Sequence, residues 1–254
     1  MRKLAIYGLQ MPTTINVIQN VKLIKKHIPL AKEAGADFLQ TPEGSVSGYY
    51  PDFDMNEVAD AVLGLADMAK HNELGLFLGT CYKKKEGQQI KIFNQIRTYN
   101  SQGNLISEYS KIMNCHKLND QLQGMDEDSF FEEGKLTSVI INDIRVGFLI
   151  CNDLWVTPGY TIKANTYLPY QLKQMGVEVI VHSTNTGEDP FYTSFHEESV
   201  KLWARCLKMH IVETNASCGN KPVTALSGVV NPEGVYVSTA RRQGIQSFFY
   251  EIKM

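Results

Sequence analysis

Four side chains in this sequence have the types and settings from which covalent acyl chemistry can be built. Cys151 closes the apolar run of VGFLICNDLWVTPG, where a strand gives way to polar residues and a Pro-Gly turn. A thiol at the carboxyl end of a buried strand faces the crevice in which open α/β sheets bind ligands. Backbone N–H groups of the following turn can then meet a developing oxyanion. Free cysteine is also among the most buried residue types and commonly serves as a small hydrophobe, so position alone leaves both readings open. Glu43 follows FLQTP in a loop rich in Gly and Ser. A carboxylate there is either solvated or a general base held at a crevice. Lys111 comes directly after LISEYS, where a lone lysine is commonly solvated. Glu127 lies in DEDSFFEEG, an acidic run of the kind that usually forms a solvated face.

The elements that must carry these residues follow from apolar periodicity. Leu4–Leu9 reads as a strand, Asn16–Ala34 as a helix stopped by Gly35, and Ala36–Gln40 as a second buried strand. A helix over Asn56–His71 precedes a strand over Gly75–Tyr82, which the charged turn KKKEGQQ should end. Phe93–Tyr99 and Leu105–Tyr109, separated by NSQG, form a hairpin signal. The chain from Asn114 to Glu133 is polar and unperiodic. Thr137–Ile141 and Arg145–Ile150 then pair around Asn142-Asp143, and Ala164–Met175 is helical before the strand Val177–His182. A helix over Glu197–Lys208 and strands over Ile211–Thr214, Ser227–Val230, Val235–Ser238 and Gln246–Glu251 complete the pattern. Helices alternate with strands early and hairpins follow, which predicts one layered α/β domain over residues 1–254 with helices outside paired sheets.

Composition narrows the function classes. Lys+Arg 25 against Asp+Glu 27 leaves a formal charge of −2, and the short basic clusters at Lys22, Lys25 and Lys26 or Lys83–Lys85 are compensated, so no nucleic-acid footprint is expected. No window approaches the roughly 20 apolar residues needed to cross a bilayer. The N-terminus lacks the apolar core of a secretory leader, which predicts a cytoplasmic protein with no membrane partner. The five cysteines, Cys81, Cys115, Cys151, Cys206 and Cys218, are widely spaced and read as free thiols rather than a zinc site or a disulfide framework. Neither CGNKP nor GSVSG has the spacing of a phosphate loop or a serine elbow. No cofactor and no metal are expected.

Taken together and in order, these segments resemble a known family. FLQTPEGSVSGYYP is similar to the first motif of the nitrilase superfamily of carbon–nitrogen hydrolases, in which a strand ends in Pro-Glu and a Gly-Tyr follows. GNLISEYSKI resembles the second motif and GFLICNDLWVTPG the third. EDSFFEEG keeps a Glu, six residues, Gly spacing before the cysteine strand, and SGVVNPEG resembles a late strand-turn of the same fold. The resemblance covers nearly the whole chain and implies a four-layer αββα sandwich. It further implies Cys151 as nucleophile, Glu43 as general acid/base, Lys111 as the oxyanion-stabilising cation and Glu127 as a second carboxylate positioning Lys111 or the substrate. Self-association, at least as a homodimer, is implied as well. Several positions depart from the family pattern: Met113-Asn114 after Lys111-Ile112, Asn152 after the cysteine, Gly159, and Lys208-Met209 in the late helix. They bear on substrate identity and leave each catalytic group in place.

The expected activity is thiol-dependent hydrolysis of a small linear amide or N-carbamoyl compound with release of ammonia. Asn152, Trp155, Tyr49 and Asn185 are candidates for shaping the substrate pocket, and Trp155 and Tyr49 are equally suited to the core. Three alternatives stand beside this reading. The same site would serve a nitrile; a Cys-His hydrolase would use His116, His182 or His196 as base; a catalytically silent binding scaffold would keep only the fold.

Overall fold

The computed structural model describes residues 1–116, 126–157, 159–161 and 163–254. Residues 117–125 of the polar stretch and Pro158 of the expected turn lie outside them. In chain order the elements are β1 (Lys3–Gln10), α1 (Val17–Glu33), β2 (Phe38–Gln40), α2 (Met55–His71), β3 (Gly75–Glu86), β4 (Gln89–Tyr99) and β5 (Leu105–Ser110). After a 3₁₀ turn at Glu127–Ser129 come β6 (Ser138–Ile141), β7 (Ile144–Ile150), α3 (Asn152–Trp155), α4 (Leu168–Gln174), β8 (Val179–Thr184) and α5 (Thr193–Leu207). The chain closes with β9 (His210–Asn215), β10 (Gly228–Val230), β11 (Tyr236–Thr239) and β12 (Gln246–Lys253).

Period-two alternation sorts the strand residues into two cores. Along β1, Leu4 and Ile6 join Phe38, Phe77 and Phe148 in one apolar cluster, while Tyr7 and Leu9 join Leu39, Leu76 and Leu78 in another. The second cluster takes the buried stripes of α1 (Ile24, Ile28, Ala31) and α2 (Val58, Val62, Leu65, Ala69). Both helices start on side-chain caps: Asn16 accepts from the Gln19 amide and Asp54 from the Glu57 amide. The first cluster fills the space between sheets and runs on beneath α4 and α5 through Leu168, Leu172, Val200 and Ala204. The result is helices, sheet, sheet, helices: the αββα sandwich.

Each sheet has six strands, in the orders β12-β1-β2-β3-β4-β5 and β11-β10-β9-β8-β7-β6. The centre of each is parallel, β1-β2-β3 in one and β7-β8-β9 in the other, with antiparallel neighbours outside. Parallel strands end on one edge. β5 ends there too, because two antiparallel steps through β4 restore the direction of β3.

Several boundaries differ from the sequence expectation, three of them for a visible reason or by a full helical turn. The lysine-rich segment continues β3 to Glu86, leaving only Gly87-Gln88 as the turn. Lys83 lies 4.5 Å over the Phe53 ring and Lys84 pairs with Glu108, so these lysines lay their stems against neighbours of the strand. The helix expected over 164–175 is confined to Leu168–Gln174, because Tyr167 is left-handed (φ 52°) just before Leu168-Pro169. Helix α5 begins at Thr193, four residues before the Glu197 start expected from sequence. Among the described residues no helix is long and apolar enough to cross a membrane.

One close approach ties this frame to the loop after β2. A Cβ placed on Gly79 of β3 would stand 2.0 Å from the Pro42 carbonyl oxygen, so the strand lies against the Pro42-Glu43 backbone only because glycine is there. We expect Gly79→Ala to lower stability by about 1–3 kcal/mol, the usual range for overpacking, read as a lower urea midpoint.

Candidate active site

Three strand ends carry the residues that the sequence singles out. β2 runs into Thr41-Pro42-Glu43, β5 into Lys111 and β7 into Cys151. Polar ties set the two sheets against each other at these strand ends. The Cys151 N–H donates to the Ser183 carbonyl at 3.0 Å, and the Ser183 hydroxyl donates to the Thr41 carbonyl at 2.9 Å, so two hydrogen bonds lead from the cysteine to the residue two before Glu43. Gln40 donates across the sheets to the carbonyls of His182 (2.8 Å) and Val212 (3.2 Å).

Lys111, Glu43 and Glu127 are all fully buried. The Lys111 ammonium lies 2.9 Å from Glu43 Oε1 and 2.9 Å from Glu127 Oε2. Asn94 on β4 donates to the same Glu43 oxygen at 2.7 Å, while its carbonyl accepts the Lys111 N–H at 2.8 Å. Among the described residues the other Glu43 oxygen, Oε2, has no hydrogen-bond partner. Glu127 is held by the Cys115 N–H at 3.0 Å on its carboxylate, so the acidic run sends one member inward while Glu132 and Glu133 remain outside. The Glu-to-Gly spacing has a physical reason: Gly134 donates to the Lys111 carbonyl, and a Cβ there would lie 1.9 Å from the Ser110 carbonyl oxygen.

Burial works against every charge here. It pulls the Lys111 ammonium down, but the negative Glu43 carboxylate, the largest opposing influence, leaves it raised and charged. Burial, reinforced by the Glu43 charge, pushes Glu127 well above the carboxylate range. Burial and the Glu43 charge also drive the Cys151 thiol well up, with Lys111 pulling the other way. The resting sulfur is a thiol.

Cys151 has φ 46° and ψ −108°, a conformation that L-residues rarely adopt. The side chain that makes this elbow possible is Asp153, which sequence reasoning passed over. Its buried carboxylate accepts from the amides of Ile112 (3.0 Å), Met113 (2.6 Å) and Ile150 (2.9 Å) and from the Tyr109 hydroxyl (2.7 Å). It therefore binds the segment after Lys111 to the strand before Cys151. An acid inside an apolar run was the available signal; Asn94, a lone amide within a strand, gave none.

The four pocket candidates divide. Tyr49 is half-buried and lines a cleft of about 370 Å³ with Pro12, Thr13, Ile15, Asn185 and Ser217. Its ring centre is 5.8 Å from the Lys111 ammonium, and Asn185 donates to the Thr13 hydroxyl at 3.0 Å. Asn152 and Trp155 are placed otherwise. The Asn152 amide bridges the Met113 carbonyl and the Thr157 N–H, closing the turn on itself. Trp155 packs against the His182 and His196 rings at 4.8 and 4.3 Å, within the core. An indole next to an apolar elbow gains more from burial than from the cleft.

The histidines considered as bases are engaged elsewhere. His182 Nε2 lies 3.1 Å from the Cys151 backbone carbonyl, His196 Nδ1 3.0 Å from the Thr224 hydroxyl and His116 Nδ1 3.0 Å from Asp126. Among the described residues no group of three His, Cys, Asp or Glu side chains is arranged to hold a metal ion.

The paired sheets and this buried cluster are those of a carbon–nitrogen hydrolase, and the sequence matches the carbon–nitrogen hydrolase family over residues 3–210; the chain belongs to that family, within the nitrilase superfamily. Among solved structures it is similar to the amidase from Nesterenkonia sp. AN1. One variant of that amidase, bearing the covalently added acetamide moiety of fluoroacetamide at its active-site cysteine, superposes with a TM-score of 0.78 at 18% identity, over 98% of this chain and 90% of that one. A second variant in complex with butyramide gives 0.76 at 19% identity, with the same coverage. A third, in complex with acrylamide, gives 0.77 at 18% identity, again over 98% and 90%. Comparison with curated proteins finds no match.

Removing the Asp153 carboxylate strands three buried amides and a hydroxyl. Asp153→Ala should therefore cost about 3 kcal/mol or more of stability, measured by urea unfolding.

Proposed function

We propose that this enzyme hydrolyses a small linear amide or N-carbamoyl compound, releasing ammonia through a thioester on Cys151. The observation that carries the reading is a fully buried Lys111 held between Glu43 and Glu127, with one Glu43 oxygen left without a partner. A buried acceptor without a donor is costly and calls for a function. Proton traffic with a thiol and an amine is the function this oxygen suits.

In the proposed cycle, Glu43 takes the Cys151 proton as the sulfur bonds to the amide carbon. The C=O π pair moves onto oxygen, where the Lys111 charge and the Asn152 N–H stabilise it. Glu43 then protonates the nitrogen, the C–N bond breaks and ammonia leaves. Water, deprotonated by Glu43, attacks the thioester, and the acid departs as the thiol is restored. A thiol whose ionisation is held back at rest needs such a base in the same step as attack. Glu127, bonded to the Lys111 ammonium through its carboxyl oxygens, anchors the cation.

The Nesterenkonia amidase structures with acetamide, acrylamide and butyramide moieties support a short aliphatic amide. Tyr49 and Asn185 are the proposed contacts for the acyl chain and the amide. Nitriles, whose carbon a thiol also attacks, belong in the same screen.

Cys151→Ala should abolish ammonia release from a panel of small amides, ω-amides, N-carbamoyl amines and nitriles while leaving the circular dichroism spectrum unchanged; wild-type rates in that variant would end the reading. Glu43→Gln should lower kcat by about 10²–10⁴-fold, the usual contribution of a general acid/base. Since the Glu43 charge raises the thiol's pKa, the same variant should alkylate with iodoacetamide at lower pH than wild type. A profile moved to higher pH would contradict this electrostatic account.

A further inference from the structure

The strained elbow at Cys151 is held from behind by a residue outside the cluster described above. His182 lies on β8, directly across from Glu213 on β9 in the parallel register, and both are fully buried. His182 and Glu213 face the helix layer, where the imidazole ring meets Trp155 and His196. The ring nitrogen Nε2 is 3.1 Å from the Cys151 carbonyl oxygen, and Nδ1 is 3.6 Å from Glu213 Oε1. A carbonyl only accepts, so Nε2 carries the hydrogen and Nδ1 is left as an acceptor facing the carboxyl group. Burial pushes His182 down to about 3 and Glu213 well above its ordinary range, and among the described residues neither Nδ1 nor the Glu213 carboxyl group has a hydrogen-bond partner, so the one hydrogen bond of the ring is that to the Cys151 carbonyl.

The carbonyl that His182 holds belongs to the same peptide plane as the Asn152 N–H. A trans peptide is rigid, and its C=O and N–H point in opposite directions. Fixing one fixes the other. Asn152 opens α3, and the first N–H of a helix has no preceding turn to accept it. From this geometry we infer that His182 is a positioning residue, which aims the Asn152 N–H at the oxyanion by anchoring the Cys151 carbonyl. Ser183 anchors the other side of Cys151 through its carbonyl, so both peptide planes flanking the nucleophile are tied to β8.

The inference rests on the reading of Cys151 as nucleophile, and it makes a claim that reading does not need. Loss of the His182 donor should affect the state with negative oxygen and spare substrate binding and the thiol itself. Two variants of similar bulk separate these effects: His182→Met has no donor, and His182→Gln presents an N–H toward the same carbonyl. His182→Met should lower kcat about 10²-fold, the low end for losing one oxyanion donor, with KM within about 2-fold of wild type. His182→Gln should recover most of the loss.

Propionaldehyde gives a readout that needs no turnover. The sulfur bonds to its carbonyl carbon, the π pair moves to oxygen and the thiol proton passes to Glu43, giving the alkoxide form of a thiohemiacetal whose charged oxygen occupies the oxyanion position. Its affinity should fall at least 10-fold in His182→Met and stay near wild type in His182→Gln. Alkylation by iodoacetamide, which forms no oxyanion, should be unchanged in both. Wild-type aldehyde affinity in a folded His182→Met protein overturns the inference, as does a parallel loss of aldehyde binding and alkylation that glutamine fails to restore. Should His182→Met not fold, the glutamine variant decides, and a 10-fold or greater loss of aldehyde affinity in it overturns the inference. Absence of ammonia release from every amide in wild type would instead count against the amidase reading, with the aldehyde comparison still deciding the role of His182.

Discussion

A single ammonium group, wholly withdrawn from water, lies between two carboxyl groups, and much of the site's architecture exists to make that tolerable. Placing a lysine in such surroundings costs several kcal/mol unless its partners are held in good geometry. Here the partners come from three separate loops, Glu43 after β2, Glu127 in the 3₁₀ turn and Lys111 itself after β5. Each loop is pinned by backbone contacts rather than by the charges alone: Gly79 against Pro42, Gly134 against Ser110, and Asn94 bonding both Glu43 and Lys111. A hydrophobic replacement of such a cluster would commonly be as stable or more so. Its presence is therefore a cost in stability that chemistry has to justify.

The same surroundings set the resting state of the sulfur. A thiol kept protonated by burial and a nearby negative carboxylate resists adventitious oxidation and alkylation, since the thiolate is the reactive form. In the proposed cycle reactivity arises when a carbonyl arrives and the proton has somewhere to go. The ammonium would then act late in the step, when charge appears on oxygen, and its bonds to Glu43 and Glu127 hold it in place.

Most of the architecture was legible because strands and helices carry their faces in their periodicity. The ordering of apolar residues along β1, β2 and β3 separates inter-sheet from helix-facing positions with no knowledge of the partner sheet. Boundaries failed where long-range contacts overrode local composition: Lys83 and Lys84 remain in β3 because Phe53 and Glu108 meet them from elsewhere in the chain. The site was legible as a set of strand ends, and Glu127 only through its spacing to a glycine. Asp153, Asn94 and His182 were not marked as supports, because a side chain that returns to backbone groups of distant segments leaves no periodic trace. Trp155 shows the converse. Proximity in sequence to the cysteine left cleft and core equally open, and the short helix α3 turns its indole into the core.

The polar bonds that cross between the sheets have a consequence for how this molecule can vary. Oily faces slide over one another at little penalty, whereas a hydrogen bond fails within a fraction of an ångström. Gln40 on the His182 and Val212 carbonyls, Ser183 on Thr41 and Ser227 on Gln10 act as indexing pins that lock one sheet to a single offset against the other. Segments at the rim, such as those bearing Ile15 and Tyr50, can then change shape and selectivity over generations without loosening the alignment on which bond cleavage depends.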